Sequence, residues 1–156
     1  MGKKPGFSIM ELLMVLAVIA VVSAITVPSI ISWRNGAKLR GAAGNLKGDL
    51  EMAKVNAIKH NNFVAVKFNA NAYEVFVDTS GDGDRDAGEA LLKNRTLPAG
   101  VAFDFTHPEW TFAGNLTKFN GRGTADNGTA ILTNVQGQER HITISTFGRI
   151  RVKNLN

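Results

Sequence analysis

Gly6-Phe7-Ser-Ile-Met-Glu11-Leu-Leu-Met-Val-Leu-Ala-Val-Ile-Ala-Val-Val-Ser-Ala-Ile-Thr-Val-Pro28-Ser-Ile-Ile31 is the stretch that decides how the chain is read. The 20 residues from Leu12 to Ile31 carry no formal charge. A helix needs roughly 20 mainly apolar residues to cross a hydrocarbon core of about 30 Å, so this run is long enough to span one. It exceeds the roughly 7–15 residues of a secretory signal core, and no small-residue cleavage site closes it. The small residue, Gly6, instead stands ahead of the run, directly after Lys3, Lys4 and Pro5. A cut after Gly6 removes a basic leader, residues 1–6, and leaves a transmembrane helix over 7–34. Lys3 and Lys4 keep the amino terminus in the cytoplasm and send the rest of the chain across the membrane.

Glu11 interrupts the apolar pattern. A carboxylate costs about 2.5–3.5 kcal/mol near the centre of a membrane helix, less toward its end, and marks a functional position by default. The plainer alternative is an interfacial acid held by lipid headgroups. Lys-Lys-Pro-Gly6 followed by Phe7-Ser-Ile-Met-Glu11 resembles the type III signal of type IV pilins and pseudopilins. The resemblance implies that a prepilin peptidase of the membrane cuts between Gly6 and Phe7 and that the new terminal Phe7 is N-methylated. It also implies that Glu11, fifth from the cut, pairs with the amino terminus of a neighbouring subunit during assembly.

At 156 residues the chain becomes 150 residues long without its leader, which suits one helix and one small head. It has no Cys, so burial must stabilise the head unaided by disulfides. The net charge of +5 falls to +3 without Lys3 and Lys4, and it is unevenly placed. Residues 78–89 sum to −4, and residues 140–156 sum to +4.

Beyond the membrane run, Leu39, Ala42, Ala43, Leu46, Leu50, Ala53, Ala57 and Ile58 recur at spacings of three and four. This predicts an amphipathic helix over 35–62, stopped at His60-Asn61-Asn62, with Pro28 kinking the helix or opening one hydrogen bond. From Phe7 the whole helix would run roughly 80 Å. The period then changes to two. Strands are expected at 63–68 and 73–77, joined across Asn69-Ala-Asn71, and at 90–97, 101–105, 110–112, 129–135, 140–145 and 149–153. The fold class is therefore α+β: a long amino-terminal helix, transmembrane in its first half and amphipathic in its second, packed on a β-rich head over 63–156.

Two stretches of the head carry chemistry. Asp78-Thr-Ser80-Gly-Asp82-Gly83-Asp84-Arg-Asp86-Ala-Gly-Glu89 matches the twelve-residue calcium-loop template, with Asp78, Ser80, Asp82, Asp84, Asp86 and Glu89 as the oxygen set and Gly83 sixth. The ion would be structural rather than a required cofactor. An Asp/Gly-rich turn between strands is the competing reading. At the other end, Arg149, Arg151 and Lys153 alternate with Ile150 and Val152, so one face of a strand presents three cations. Such a row suits a polyanion backbone; it also suits an edge strand protected from pairing.

The ending His141-Ile-Thr-Ile-Ser-Thr-Phe-Gly148-Arg-Ile-Arg151-Val resembles the carboxy-terminal hairpin of the FimT/GspH family of minor pilins and pseudopilins. FimT-type members that bind DNA for natural transformation carry Gly-Arg-x-Arg there, and Gly148, Arg149 and Arg151 fit it, with Lys153 extending the row. The resemblance implies a single-pass protein of a bacterial inner membrane with a periplasmic head, entering a pilus or pseudopilus as a filament hetero-oligomer. Its partners would be other pilins or pseudopilins, and DNA in the FimT-like case. The alternative is the pseudopilin H of a type II secretion system, without DNA binding. A membrane-tethered calcium module that never assembles is a third reading. No enzyme signature is present: His60, His107 and His141 stand in unrelated contexts, and Gly121-Arg-Gly123 lacks the strand-turn-helix setting of a nucleotide site.

Overall fold

A computed structural model describes residues 6–154. Lys3, Lys4 and Pro5 of the expected leader, and the last two residues of the expected head, lie outside the described residues. One helix, α1 (Ile9–His60), is followed by eight strands: β1 (Phe63–Asn69), β2 (Ala72–Asp78), β3 (Leu91–Thr96), β4 (Val101–Phe103), β5 (Leu116–Phe119), β6 (Gly128–Asn134), β7 (Glu139–Ile144) and β8 (Ile150–Asn154). The chain divides into two compact units after Arg34.

Both ends of α1 follow from local chemistry. Ser8 caps the start: its Oγ accepts the Met10 N–H at 3.3 Å, and its carbonyl accepts the Leu12 N–H at 3.2 Å. At the other end Asn61 adopts φ +48°, the left-handed conformation that Asn tolerates. Its N–H then reaches the Ile58 carbonyl and the Asn62 N–H reaches Ala57, a paired closure of the last turn. The helix stops at the expected place. Pro28 lies inside α1, which runs on past it; having no N–H, it leaves the Ala24 carbonyl without its helical donor.

In the first unit, every described residue up to Arg34 is exposed. Among the described residues α1 is the one helix long and apolar enough to cross a membrane.

In the second unit the helical stripe is buried as its spacing predicts from Leu39 to Ala57, whereas Ile58, at the end of the expected stripe, is exposed. Leu39, Ala42, Ala43, Leu46, Leu50, Ala53 and Ala57 form one core with residues of both sheets. Burying each Leu contributes about 1.5–3 kcal/mol. Two four-stranded antiparallel sheets supply the rest, in the orders β3-β2-β1-β5 and β4-β6-β7-β8. Val64, Val66, Phe68, Tyr73 and Val75 enter the core from the first sheet, and Ala130, Leu132, Ile142 and Ile144 from the second. Hydrogen bonds tie the helix to distant loops: Lys38 Nζ donates to the Ala99 carbonyl (3.1 Å) and Lys54 Nζ to the Gly148 carbonyl (2.9 Å).

One expected strand is corrected. Residues 110–112 form no strand, because their large side chains serve a cluster of rings instead. Trp110 meets Phe105 edge-on at 4.6 Å and Phe68 at 5.6 Å, and Phe112 stacks on Phe68 at 5.5 Å. Only Thr111 makes ladder-like contact, donating its N–H to the Thr129 carbonyl. The strand that pairs with β1 comes later, at β5, after a turn with positive φ at Gly114 and Asn115. The 101–105 expectation ends two residues early for a related reason: Phe105 leaves the ladder to stack against Phe103 and Trp110.

Candidate functional site

Gly6 and Phe7 precede α1 outside any helix or strand, and both are exposed. Glu11 occupies the first turn, three residues after the Ser8 cap. The positive end of the helix dipole favours a carboxylate there, which is a local reason for an acid at this position. Ser-x-x-Glu is also the capping-box pattern, but here the Ser8 Oγ accepts from Met10 and the Glu11 N–H goes to the Ser8 carbonyl at 3.1 Å.

The acidic loop satisfies itself. Asp78 is fully buried; its Oδ1 accepts the Gly81 N–H (2.7 Å) and its Oδ2 the Gly83 N–H (3.0 Å). Glu89 closes the loop from the far end, accepting Thr79 N–H at 2.6 Å and Asp86 N–H at 2.9 Å. The amide of Asp86, ahead of those of Thr79 and Ser80, holds the Glu89 carboxyl below the usual carboxylate range. Asp82 is lowered likewise, first by the Asp84 amide and then by the Ser80 hydroxyl. Asp84 pairs with Lys67, Lys118 Nζ donates to the Gly81 carbonyl at 2.6 Å, and Asp86 and Ser80 are exposed. Gly83 has its own structural reason: at φ +85°, an added Cβ would lie 2.2 Å from Leu116 Cδ2. The six expected oxygen donors thus share a loop, with Asp78 and Glu89 turned onto its amides.

The basic ending is built differently. β7 and β8 pair with Thr143 opposite Arg151 and His141 opposite Lys153, so these four share one face. Ile150, on the opposite face, is buried, and Val152 packs against the core. Arg149, Arg151 and Lys153 are all exposed. The connecting turn is held by the Gly148 N–H on the Ser145 carbonyl (2.7 Å) and the Ser145 N–H on the Arg149 carbonyl (3.0 Å). Gly148 adopts φ +66°, and an added Cβ would lie 2.1 Å from the Gly123 carbonyl oxygen. Gly148 therefore shapes the turn that presents Arg149. An open groove of about 350 Å³ is lined by Thr143, Ser145, Phe147, Arg149 and Arg151. Phe147, at its edge, is 85 % exposed.

A further cluster lies on the same face of β7. His141, buried, has Nδ1 2.9 Å from Glu109 Oε2 and Nε2 3.3 Å from Glu139 Oε2; His107 Nε2 stands 3.5 Å from that same Glu139 oxygen. Its signal in the sequence was a pair of mirrored spacings, His107-x-Glu109 and Glu139-x-His141, 30 residues apart.

Comparison with known proteins places this geometry. The chain matches the family described as type II transport protein GspH over residues 42–148. It is 29 % identical to the pilin-like protein PilA1 of Thermus thermophilus over 155 residues, covering 95 % of this chain and 97 % of that one. Its fold resembles the minor pseudopilin EpsH from the type II secretion system of Vibrio cholerae, with TM-score 0.56 and 14 % identity over 75 % of this chain and 97 % of that one. It also resembles the type IV minor pilin FimU of Pseudomonas aeruginosa, with TM-score 0.57 and 18 % identity over 79 % and 92 % of the two chains. Fold and family are those of structural pilin-like subunits rather than of enzymes. With one apolar amino-terminal helix ahead of a two-sheet head, and a family match across most of that head, the chain belongs to the GspH family of pilin-like proteins.

Proposed function

We propose that this chain is a minor subunit of a type IV pilus-like filament that helps start or cap it and holds DNA by its carboxy-terminal strand. In this reading a prepilin peptidase removes residues 1–6, Phe7 is methylated, and residues 7–34 anchor the protein in the bacterial inner membrane. Residues 35–62 form the spine of the periplasmic head over 63–156. Glu11 pairs with the amino terminus of a neighbouring pilin, giving a filament of unlike subunits. The observation that carries the DNA part is the exposed pair Arg151 and Lys153 on one face of the edge strand β8, with Arg149 exposed in the turn just ahead of it, beside an exposed ring. Guanidinium groups so placed neutralise phosphates without reading base edges, so binding is weak and indifferent to sequence.

A second reading is a type II secretion pseudopilin without DNA binding, supported by the family description and by the fold shared with EpsH. The matched residues also end at Gly148, before Arg149 and Arg151. Titration of the full chain in detergent with a short labelled duplex separates the two. The pilus reading expects binding at low salt that is lost in the Arg149→Ala, Arg151→Ala double variant. Undetectable binding at low salt, or binding unchanged in that variant, favours the secretion reading.

A further inference from the structure

We propose that His107, Glu139 and His141 form a site for a divalent transition metal, zinc above others, with Glu109 positioning His141 from outside the coordination sphere. One ligand atom from each of the three residues lies within 4.8 Å of the others. Both imidazoles address the same oxygen, Glu139 Oε2, at 3.3 and 3.5 Å. Those separations are long for charge-assisted hydrogen bonds, which run about 2.7–2.9 Å. They match the edge of a tetrahedron around zinc: donors about 2.0–2.1 Å from the ion stand roughly 3.3–3.4 Å apart. The Glu109–His141 contact, at 2.9 Å, has the length of a true hydrogen bond. It reproduces the carboxylate–imidazole–metal relay in which an outer acid fixes tautomer and ring.

The tautomers support the same assignment. His141 is 99 % buried and has a carboxylate oxygen at each ring nitrogen. A neutral ring can donate to only one of them, so its other lone pair faces an anion unless a proton or a metal ion comes between. Zinc meets this demand with Nδ1–H on Glu109 and the Nε2 lone pair on the ion. At His107, Nδ1 accepts the Glu109 N–H at 3.1 Å, which leaves the proton on Nε2. Ligation through Nε2 moves that proton to Nδ1 and frees the Glu109 amide, whose side chain on this surface turn is 61 % exposed. Two carboxylates and two neutral rings offer two negative charges to a dication, with Lys153 opposite His141 as the nearby cation. The mixed nitrogen and oxygen set suits zinc rather than calcium, which takes oxygen ligands alone. A bound ion would fasten the surface loop carrying His107 and Glu109 to β7, with water in the fourth position.

Cobalt tests the site, because four-coordinate Co²⁺ absorbs visibly where the hydrated ion scarcely does. The tag-free full chain in detergent, stripped with chelator, is titrated with Co²⁺ and then with Zn²⁺. One equivalent of absorbing cobalt, displaced by zinc, is expected. Glu109→Gln should keep the absorption while weakening affinity about 10- to 100-fold. His107→Ala and Glu139→Gln, both only partly buried, should lose it while melting in chelator close to the parent. Glu89→Gln, in the acidic loop, should leave it unchanged. Wild-type protein without the absorption overturns the proposal and leaves a proton-bridged cluster. Absorption that survives in both His107→Ala and Glu139→Gln, or that vanishes in Glu89→Gln, overturns it too.

Discussion

Tyr73 donates its hydroxyl to Asp49 Oδ2 at 2.6 Å, joining the helix to the first sheet through a buried carboxylate. Arg95, the cross-strand partner of Tyr73, donates Nε to the same oxygen at 2.7 Å and a terminal nitrogen to Oδ1 at 3.3 Å. Burial by itself would raise the Asp49 pKa; the hydrogen bonds from Arg95 and Tyr73 outweigh it and hold the carboxyl below the usual range. Burial, and then the hydrogen bond to Asp49, push the Tyr73 hydroxyl well above its usual range, so it remains a donor.

Tyr73→Phe should therefore cost about 1.5–3 kcal/mol, the worth of a hydrogen bond to a charged group. A folded pKa below the unfolded one gives stability that is present above the unfolded value, about 3.9 for Asp, and is lost as pH falls through the folded value. Melting temperature should drop below about pH 4 more steeply in the parent than in Asp49→Asn. Parallel curves for the two would remove Asp49 from the acid response. Chemical denaturation of the full chain in detergent measures the first effect, and thermal melts across pH the second.

The acidic loop predicts indifference to calcium. Each carboxylate oxygen of Glu89 and Asp78 already accepts a loop amide, from Thr79 and Asp86 and from Gly81 and Gly83 respectively, so the loop is held closed without an ion. The head should melt at the same temperature in millimolar calcium and in chelator, while Glu89→Gln speeds proteolysis between residues 78 and 89. A calcium-dependent rise in melting temperature that Glu89→Gln abolishes would instead assign the loop to the ion.

Gly148→Ala is expected to destabilise the head and displace Arg149 together. A left-handed backbone costs a non-glycine residue of order 1–3 kcal/mol. Here the new methyl also meets the Gly123 carbonyl at 2.1 Å, and backbone cannot swing aside as a side chain does. Melting temperature should fall, with DNA affinity reduced even below the melt. An unchanged melt would mean that the turn tolerates a Cβ.

Processing and assembly should separate at Gly6 and Glu11. Gly6→Val is expected to block leader removal. Glu11→Ala should leave cleavage intact and impair entry into the filament, because the partner cation then lacks its carboxylate. Intact mass of the membrane-extracted protein reads the first step, and subunit content of sheared filaments the second. A mature chain starting anywhere but Phe7 would contradict the processing reading.

Legibility from sequence followed the range of the interactions. The buried stripe from Leu39 to Ala57, the stop at Asn61 and the hairpin at Asn69–Asn71 are set by neighbours within a few residues, and the structure has all three. Residues 110–112 misled because Trp110 and Phe112 have strand-like composition, yet their rings go to Phe68, a partner far along the chain. The Asp49–Tyr73–Arg95 bridge and the His107–Glu139–His141 cluster depend on contacts across 24 to 46 residues and about 30 residues, respectively. No periodicity records such meetings. Gly148 was legible as part of a motif, whereas its reason, the approach of Gly123, was not.

Phe147 allows a sharper test of the DNA reading than charge alone. Three phosphate contacts through Arg149, Arg151 and Lys153 predict a log–log salt slope of about −2.7 on duplex, and removing both arginines should take away about 1.8 of it. Phe147 adds no charge, so Phe147→Ala should leave that slope and the duplex affinity nearly unchanged. Its ring is 85 % exposed beside Arg149 and lines the same groove. A base in a single strand can stack on it, and such stacking contributes about 1–3 kcal/mol per base, whereas a duplex keeps its bases stacked on each other. Affinity for a short single-stranded oligonucleotide should therefore fall about 5- to 150-fold in Phe147→Ala, with the arginines intact. Fluorescence anisotropy with matched single-stranded and duplex probes gives both numbers. Equal losses on the two probes would make Phe147 a support of the turn, and no loss on either would leave the arginines acting without it.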